Sequence, residues 1–162
     1  SKIISEELVT AYKRDFNIDG IILRPFNIYG HNQNPEFLIP SIINQLKNGT
    51  INLKDPRPKR DFLYVADFCE LITKCIDYDK KGVDIFNVGS GISYSIAEIV
   101  ELLEKLIGHE KFEIVYTNNY RKEEILDVRA DITKVKELLN WVPKHDLASG
   151  LKAYLEKMTI LT

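Results

Sequence analysis

A chain of 162 residues is long enough for one domain with a sizeable core. With 44% hydrophobic and 28% charged residues it reads as globular, neither disordered nor membranous. A net charge of −2 offers no general field to nucleic acid or an anionic membrane, and no apolar run approaches the roughly 20 residues that span a bilayer.

Residues 1–16 read as a helix, with Ile4, Leu8, Ala11 or Tyr12, and Phe16 on one face. It has no lead-in, so something is expected in front of it, and no signal-peptide layout, so the cytoplasm is the expected compartment. Asp19-Gly20 makes a turn into the β-branched run Ile21-Ile22-Leu23, a buried strand. Pro25 is expected to stop the ladder, since it has no N–H to donate. The chain then leaves the sheet carrying Asn27, Tyr29 and Gly30. Ligands of open α/β sheets bind just beyond the carboxyl ends of the strands, which is where Asn27 would sit; an ordinary polar exit loop is the alternative.

His31-Asn32-Gln33-Asn34-Pro35 reads as a polar loop, 37–46 as a helix closed by Asn48-Gly49, and 51–53 as a brief strand. The segment 54–60 is charged and punctuated by proline, which excludes a central strand there. Residues 61–65 turn apolar, and Asp67 suits the N-cap of a helix to about Tyr78 whose buried face is Phe68, Leu71, Ile72, Cys75 and Ile76. Cys69 and Cys75 lie about 9 Å apart along that helix, too far to bridge, and read as core filler. The three histidines have no partners at nucleophile or metal spacing and read as surface or loop residues, with no metal site expected.

Residues 84–88 form the next expected strand, ending in Gly89-Ser90-Gly91. A dinucleotide loop needs a third glycine where Tyr94 stands, so this reads as a tight strand-to-helix turn. Ser95 and Glu98 make a capping box for a helix that ends at Gly108. Residues 112–116 suit a strand, the polar segment 117–124 leads to Asp131 as a cap for the helix around Leu138, Trp141 packs at that helix's end, and 147–161 is the last amphipathic helix. Strands alternating with helices make the chain α/β.

Two arginines stand out. Arg60 ends the basic loop ahead of Phe62-Leu63-Tyr64, and a guanidinium there suits bidentate grip on phosphate oxygens; pairing with Asp61 or Asp55 is the alternative. Arg121 could act likewise, or be paired with Glu123 or Glu124.

Taken in order, a set of segments carries a resemblance: Ser1-Lys2 with Glu6-Glu7-Leu8-Val9; Leu23-Arg24-Pro25-Phe26-Asn27-Ile28-Tyr29-Gly30; Pro40-Ser41-Ile42-Ile43; Arg60-Asp61-Phe62-Leu63-Tyr64-Val65 with Asp67; Phe86-Asn87-Val88-Gly89-Ser90-Gly91; Arg121 ten before Asp131; and Leu139 with Trp141 and Pro143. The set resembles the extended short-chain dehydrogenase/reductases that modify nucleotide sugars, the 4-epimerases and 4,6-dehydratases. The resemblance implies an α/β fold consisting of the C-terminal part of a Rossmann-type enzyme: the last parallel strands plus the small substrate-binding domain. On this reading 1–162 is a single substrate-binding unit, without the dinucleotide-binding half.

Roles follow from the same resemblance. Lys2 looks like the lysine of the family's Tyr-x-x-x-Lys motif, which holds the nicotinamide ribose and lowers the pKa of the proton-moving tyrosine. Pro25 and Phe26 would lie beside the nicotinamide of NAD or NADP. Asn27, Arg60 and Arg121 look like the ligands of the substrate's diphosphate. The implied partners are a nucleotide-diphosphate sugar and a second copy joined through the N-terminal helix, whose Ile4, Leu8 and Tyr12 face is then exposed in a monomer or buried in a dimer.

The departure is that no tyrosine here has a lysine four residues on: Tyr12 gives Phe16, Tyr29 gives Gln33, Tyr64 gives Phe68 and Tyr116 gives Tyr120. The chain alone is therefore expected to be inactive, and a non-catalytic sugar-nucleotide binding or assembly module is the alternative.

Overall fold

The computed structural model describes residues 1–46, 49–108, 112–117 and 122–158. The chain runs α1 (Lys2–Phe16), β1 (Gly20–Pro25), β2 (Asn27–Tyr29), α2 (Leu38–Leu46), β3 (Thr50–Leu53), β4 (Lys59–Tyr64), α3 (Val65–Ile76), β5 (Val83–Val88), β6 (Ser93–Ser95), α4 (Ile96–Ile107), β7 (Glu113–Tyr116), β8 (Asp127–Val128), α5 (Thr133–Leu139) and α6 (Leu147–Lys157).

Among the described residues the strands form three small sheets. Parallel β1 and β5 make the first, and parallel β3 and β7 the last. The middle sheet is built on β4: β2 runs parallel to its second half, while parallel β8 and antiparallel β6 flank its first half. Side chains alternate across a strand, so β4 feeds two cores. Phe62 and Tyr64 join one with α2, α4 and α6; Leu63 joins the other with Leu71, Phe86, Val88 and Trp141. Trp141, 1% exposed, is the packing residue its sequence context implies.

Several sequence expectations are corrected. Pro25 does not interrupt β1; it is its last residue, opposite Val88. The next amide, Phe26 N, donates to Val88 O at 2.8 Å, so the amide position that proline lacks faces the other edge of β1. Lys59 and Arg60 belong to β4, because the prolines at 56 and 58 lie before the strand begins. Asp67 does not cap α3, which starts two residues earlier; it lies buried in the first turn. Leu71 is fully buried on α3, but Ile72 and Ile76 are 43% and 77% exposed and Cys69 is exposed, because the core contacts only a narrow stripe of that helix. The capping box of α4 forms as expected, with Glu98 N donating to Ser95 Oγ at 3.2 Å and Ser95 N to Glu98 Oε2 at 2.7 Å. The turn at Gly89–Gly91 leads into β6 before α4 begins.

Candidate functional site

The carboxyl end of β1 is one wall of the candidate site, and α1 is pinned across it. Arg24 donates from Nε and Nη2 to the two carboxylate oxygens of Glu6 at 2.8 and 2.5 Å. That guanidinium holds the Glu6 carboxyl below its ordinary range, the hydrogen bond being the largest cause. At the other end of the helix, Val9 sits directly over Gly20, where any Cβ would meet its Cγ1 at 2.7 Å, and Lys13 reaches Asp19 at 2.7 Å. Helix and strand are therefore antiparallel. Lys2, one turn before Glu6 and about 6 Å further along the axis, comes to the same end as Pro25, Phe26 and Asn27.

Asn27 opens β2 opposite Phe62, and its Nδ2 donates to Asp61 O at 2.8 Å. Beside it lies a cleft of about 260 Å³ lined by Phe26, Asn27, Gln33, Phe37 and Phe62 among others. It is mostly apolar with two amides, the composition of a small-molecule site. Gln33 was not singled out by the sequence, where it is one polar residue of a loop. Its Nε2 donates to Ile28 O at 2.8 Å, and its buried Oε1 has no hydrogen-bond partner among the described residues.

Arg60 lies on the same strand, β4, one residue before Asp61. Its Nη1 donates to Lys59 O at 2.8 Å and to Ile125 O at 2.7 Å, and its Nη2 pairs with Glu124. The alternatives left open by the sequence are thereby decided: Asp55 pairs with Arg57, and Arg60 with a carboxylate 64 positions away. Glu124 also lines a second cleft, about 410 Å³, with Ser41, Asn52, Asp55 and Pro58. Arg121 lies outside the described residues.

The loop Gly89–Gly91, which the sequence marks as a tight turn and not a dinucleotide loop, holds a carboxylate of the chain itself. The Asp61 carboxylate, 0% exposed, accepts from Ser90 N and Ser90 Oγ at 2.6 and 2.7 Å, from Gly91 N at 2.9 Å and from Ala130 N at 3.1 Å. A second buried carboxylate, Asp67, accepts from His145 N at 3.0 Å and meets His145 Nδ1 at 2.9 Å. His145 is thus not an unpartnered surface histidine; its partner lies 78 residues away and left no trace in local spacing.

Burial raises the phenols of Tyr29, Tyr94, Tyr116 and Tyr154, and pushes Tyr78 up to about 12 with help from the Asp84 carboxylate. Tyr78 donates its hydroxyl proton to Asp84 Oδ2 at 2.7 Å and Tyr29 donates to Leu147 O at 3.4 Å. Among the described residues no group of three or more His, Cys, Asp or Glu side chains is placed to hold a metal ion, and no helix is long and apolar enough to cross a membrane.

The family described as GDP-mannose 4,6 dehydratase matches residues 1–154. A putative UDP-glucose 4-epimerase of Methanocaldococcus jannaschii is 32% identical over 163 residues, which cover 98% of this chain and 52% of the relative. Among solved structures, a UDP-glucose 4-epimerase with UDP-glucose from Thermotoga maritima superposes with a TM-score of 0.87 at 28% identity, covering 98% of this chain and 52% of that one. The UDP-glucuronic acid 4-epimerase of Bacillus cereus, in complex with UDP-glucuronic acid and NAD, gives 0.85 at 28% identity, covering 99% and 52%. The chain spans about half the length of the curated relatives it matches.

Proposed function

The chain belongs to the GDP-mannose 4,6-dehydratase family of extended short-chain dehydrogenase/reductases, the NAD-dependent nucleotide-sugar epimerases and dehydratases, and from this premise we propose that it forms the substrate-binding portion of a nucleotide-sugar 4-epimerase or 4,6-dehydratase. The observation that carries the reading is the convergence at the end of β1. Lys2, Pro25, Phe26 and Asn27 share one end of the α1–β1 pair, and Asn27 is bonded to the strand that bears Arg60. This chain then corresponds to the C-terminal half of the full-length protein.

The residues at that end fit a nicotinamide cofactor, NAD or NADP. Lys2 is an exposed ammonium able to donate to ribose hydroxyls, and Pro25 and Phe26 present a ring without an N–H and an aromatic face. When bound, the cofactor supplies the hydride exchange at C4 of the sugar that gives a 4-keto intermediate. Lys2, as a cation beside a tyrosine contributed from outside this chain, lowers that phenol's pKa and so eases removal of the C4 hydroxyl proton.

Asn27, Arg60 and Arg121 bind the diphosphate in this reading. The carboxamide of Asn27 has one N–H committed to Asp61 O and keeps its second N–H for a phosphate oxygen. Arg60 is held by Glu124 and the Ile125 carbonyl, so the diphosphate has to take over from Glu124 as partner of the guanidinium. Calorimetry with UDP-, dTDP- and GDP-sugars on the full-length protein tests the proposal. One of the three is expected to bind, and Arg60→Ala and Arg121→Ala each to weaken it by roughly ten- to a hundredfold, the cost of a charge-assisted hydrogen bond. Unchanged binding in both variants removes the clamp.

A further inference from the structure

We propose that Asp61 is a positioning residue for the nucleotide-sugar site, a buried internal anion that sets where Arg60 and Asn27 stand. The inference rests on the reading of those two residues as substrate ligands. A carboxylate without water is tolerated only where hydrogen bonds replace its hydration. Asp61 has four, two on each oxygen, which fills the acceptor capacity of the group. The donors come from two distant stretches, Ser90–Gly91 after β5 and Ala130 after β8.

The backbone is shaped to receive this side chain. A Cβ on Gly89 would lie 2.6 Å from Asp61 Oδ2 and 2.6 Å from Ala130 Cβ, so the space exists only because residue 89 is glycine. Gly91, at φ +78, turns its N–H onto the carboxylate from a conformation that side chains rarely adopt.

The same residue governs both proposed ligands. Its carbonyl oxygen accepts the Asn27 amide at 2.8 Å. By holding Ala130, its carboxylate fixes the far end of the stretch that begins at Glu124 and runs beside β4. Lys59 N donates to Leu126 O at 2.7 Å, Arg60 pairs with Val128 in register, and the Arg60 guanidinium reaches Ile125 O and Glu124. Loosening Asp61 therefore loosens the strand of Arg60 against the segment that presents Glu124.

Asp61→Asn is the informative variant, because it keeps the shape but turns one acceptor oxygen into an NH2 group that meets at least one backbone N–H whichever way the amide is turned. On the full-length protein, with UDP-glucose, dTDP-glucose and GDP-mannose as probes, Asp61→Asn is expected to weaken the tightest probe by roughly ten- to a hundredfold, the scale of losing a charge-assisted hydrogen bond from a displaced Arg60. Combined with Arg60→Ala, its effect is expected to be non-additive by about tenfold, because it acts through Arg60. A residue that only supports the fold lowers the thermal midpoint but leaves the affinity of the folded fraction unchanged and the two effects additive; that result overturns the proposal.

Ser90→Ala removes one bond of four and keeps the reading available if Asp61→Asn does not fold. It is expected to weaken binding about threefold and to be coupled to Arg60→Ala, and additivity again overturns the positioning role. If the unsubstituted protein binds none of the probes, the substrate reading and the positioning role fall together. Amide exchange then decides the anchor by itself: faster exchange at Ser90, Gly91 and Ala130 in Asp61→Asn, with β3 and β7 unchanged, supports it, and unaltered exchange overturns it.

Discussion

Gly150 leaves no room for a side chain: a Cβ there would come within 2.0 Å of the Tyr29 hydroxyl and 3.1 Å of Tyr64 Cβ. Alanine is the better helix former by about 1 kcal/mol, yet the overpacking outweighs it, and Gly150→Ala is expected to cost about 2 kcal/mol net. Urea unfolding should show a lower midpoint with an unchanged slope. Asp19 makes a prediction in pH. The Lys13 ammonium first, then the Gly82 N–H, hold its carboxyl at about 2, against an ordinary 3.8. A depressed folded-state value contributes stability at pH above the unfolded value, and that contribution is lost as pH falls through 3.8 toward 2. An NMR titration of Asp19 is expected to give a midpoint near 2 that rises in Lys13→Gln; a midpoint at the ordinary value in the unsubstituted protein contradicts the tie. At this scale the sequence was a partial guide. Asn27, Lys2 and Arg60 stood out by their motif, whereas Gln33, Asp61 and His145 did not, because what marks them is a cleft, a buried anion site and a partner across the fold.

Secondary-structure elements were legible where their signals are local. The capping box at Ser95, the left-handed Gly108 that closes α4, and the β-branched run of β1 each act within a few residues of the chain. The two- and three-residue strands β8 and β6 were not, since each exists only by pairing with β4. The N-terminal helix carries the prediction that belongs here. None of its residues is buried, and Ile4, Leu8 and Tyr12 are 68%, 57% and 47% exposed on one face. A second copy covering that face would make the full-length protein a dimer in sedimentation velocity. Leu8→Glu is then expected to shift it to monomer while the thermal midpoint of the dissociated protein changes little. A well-behaved monomer before substitution argues against the contact.

The whole molecule is organised by β4, whose alternate side chains supply two cores and whose first half supports the proposed substrate ligands. The α/β class and the family were decided by the sequence alone, since alternating periodicities and an ordered set of short motifs survive without coordinates. So was the glycine pattern at 89 and 91, although not its purpose. Only the tertiary structure showed that the cradle there is filled by Asp61, that Arg60 turns to Glu124 rather than Asp55 or Asp61, and that Glu6 of α1 is tied to Arg24 near the carboxyl end of β1. The physical reason is range. Caps, turns and apolar stripes are fixed by neighbours within a turn or two, whereas the partner of a buried charge is whichever donor the packed chain brings within about 3 Å, and for Asp61 those donors lie 29 to 69 residues away.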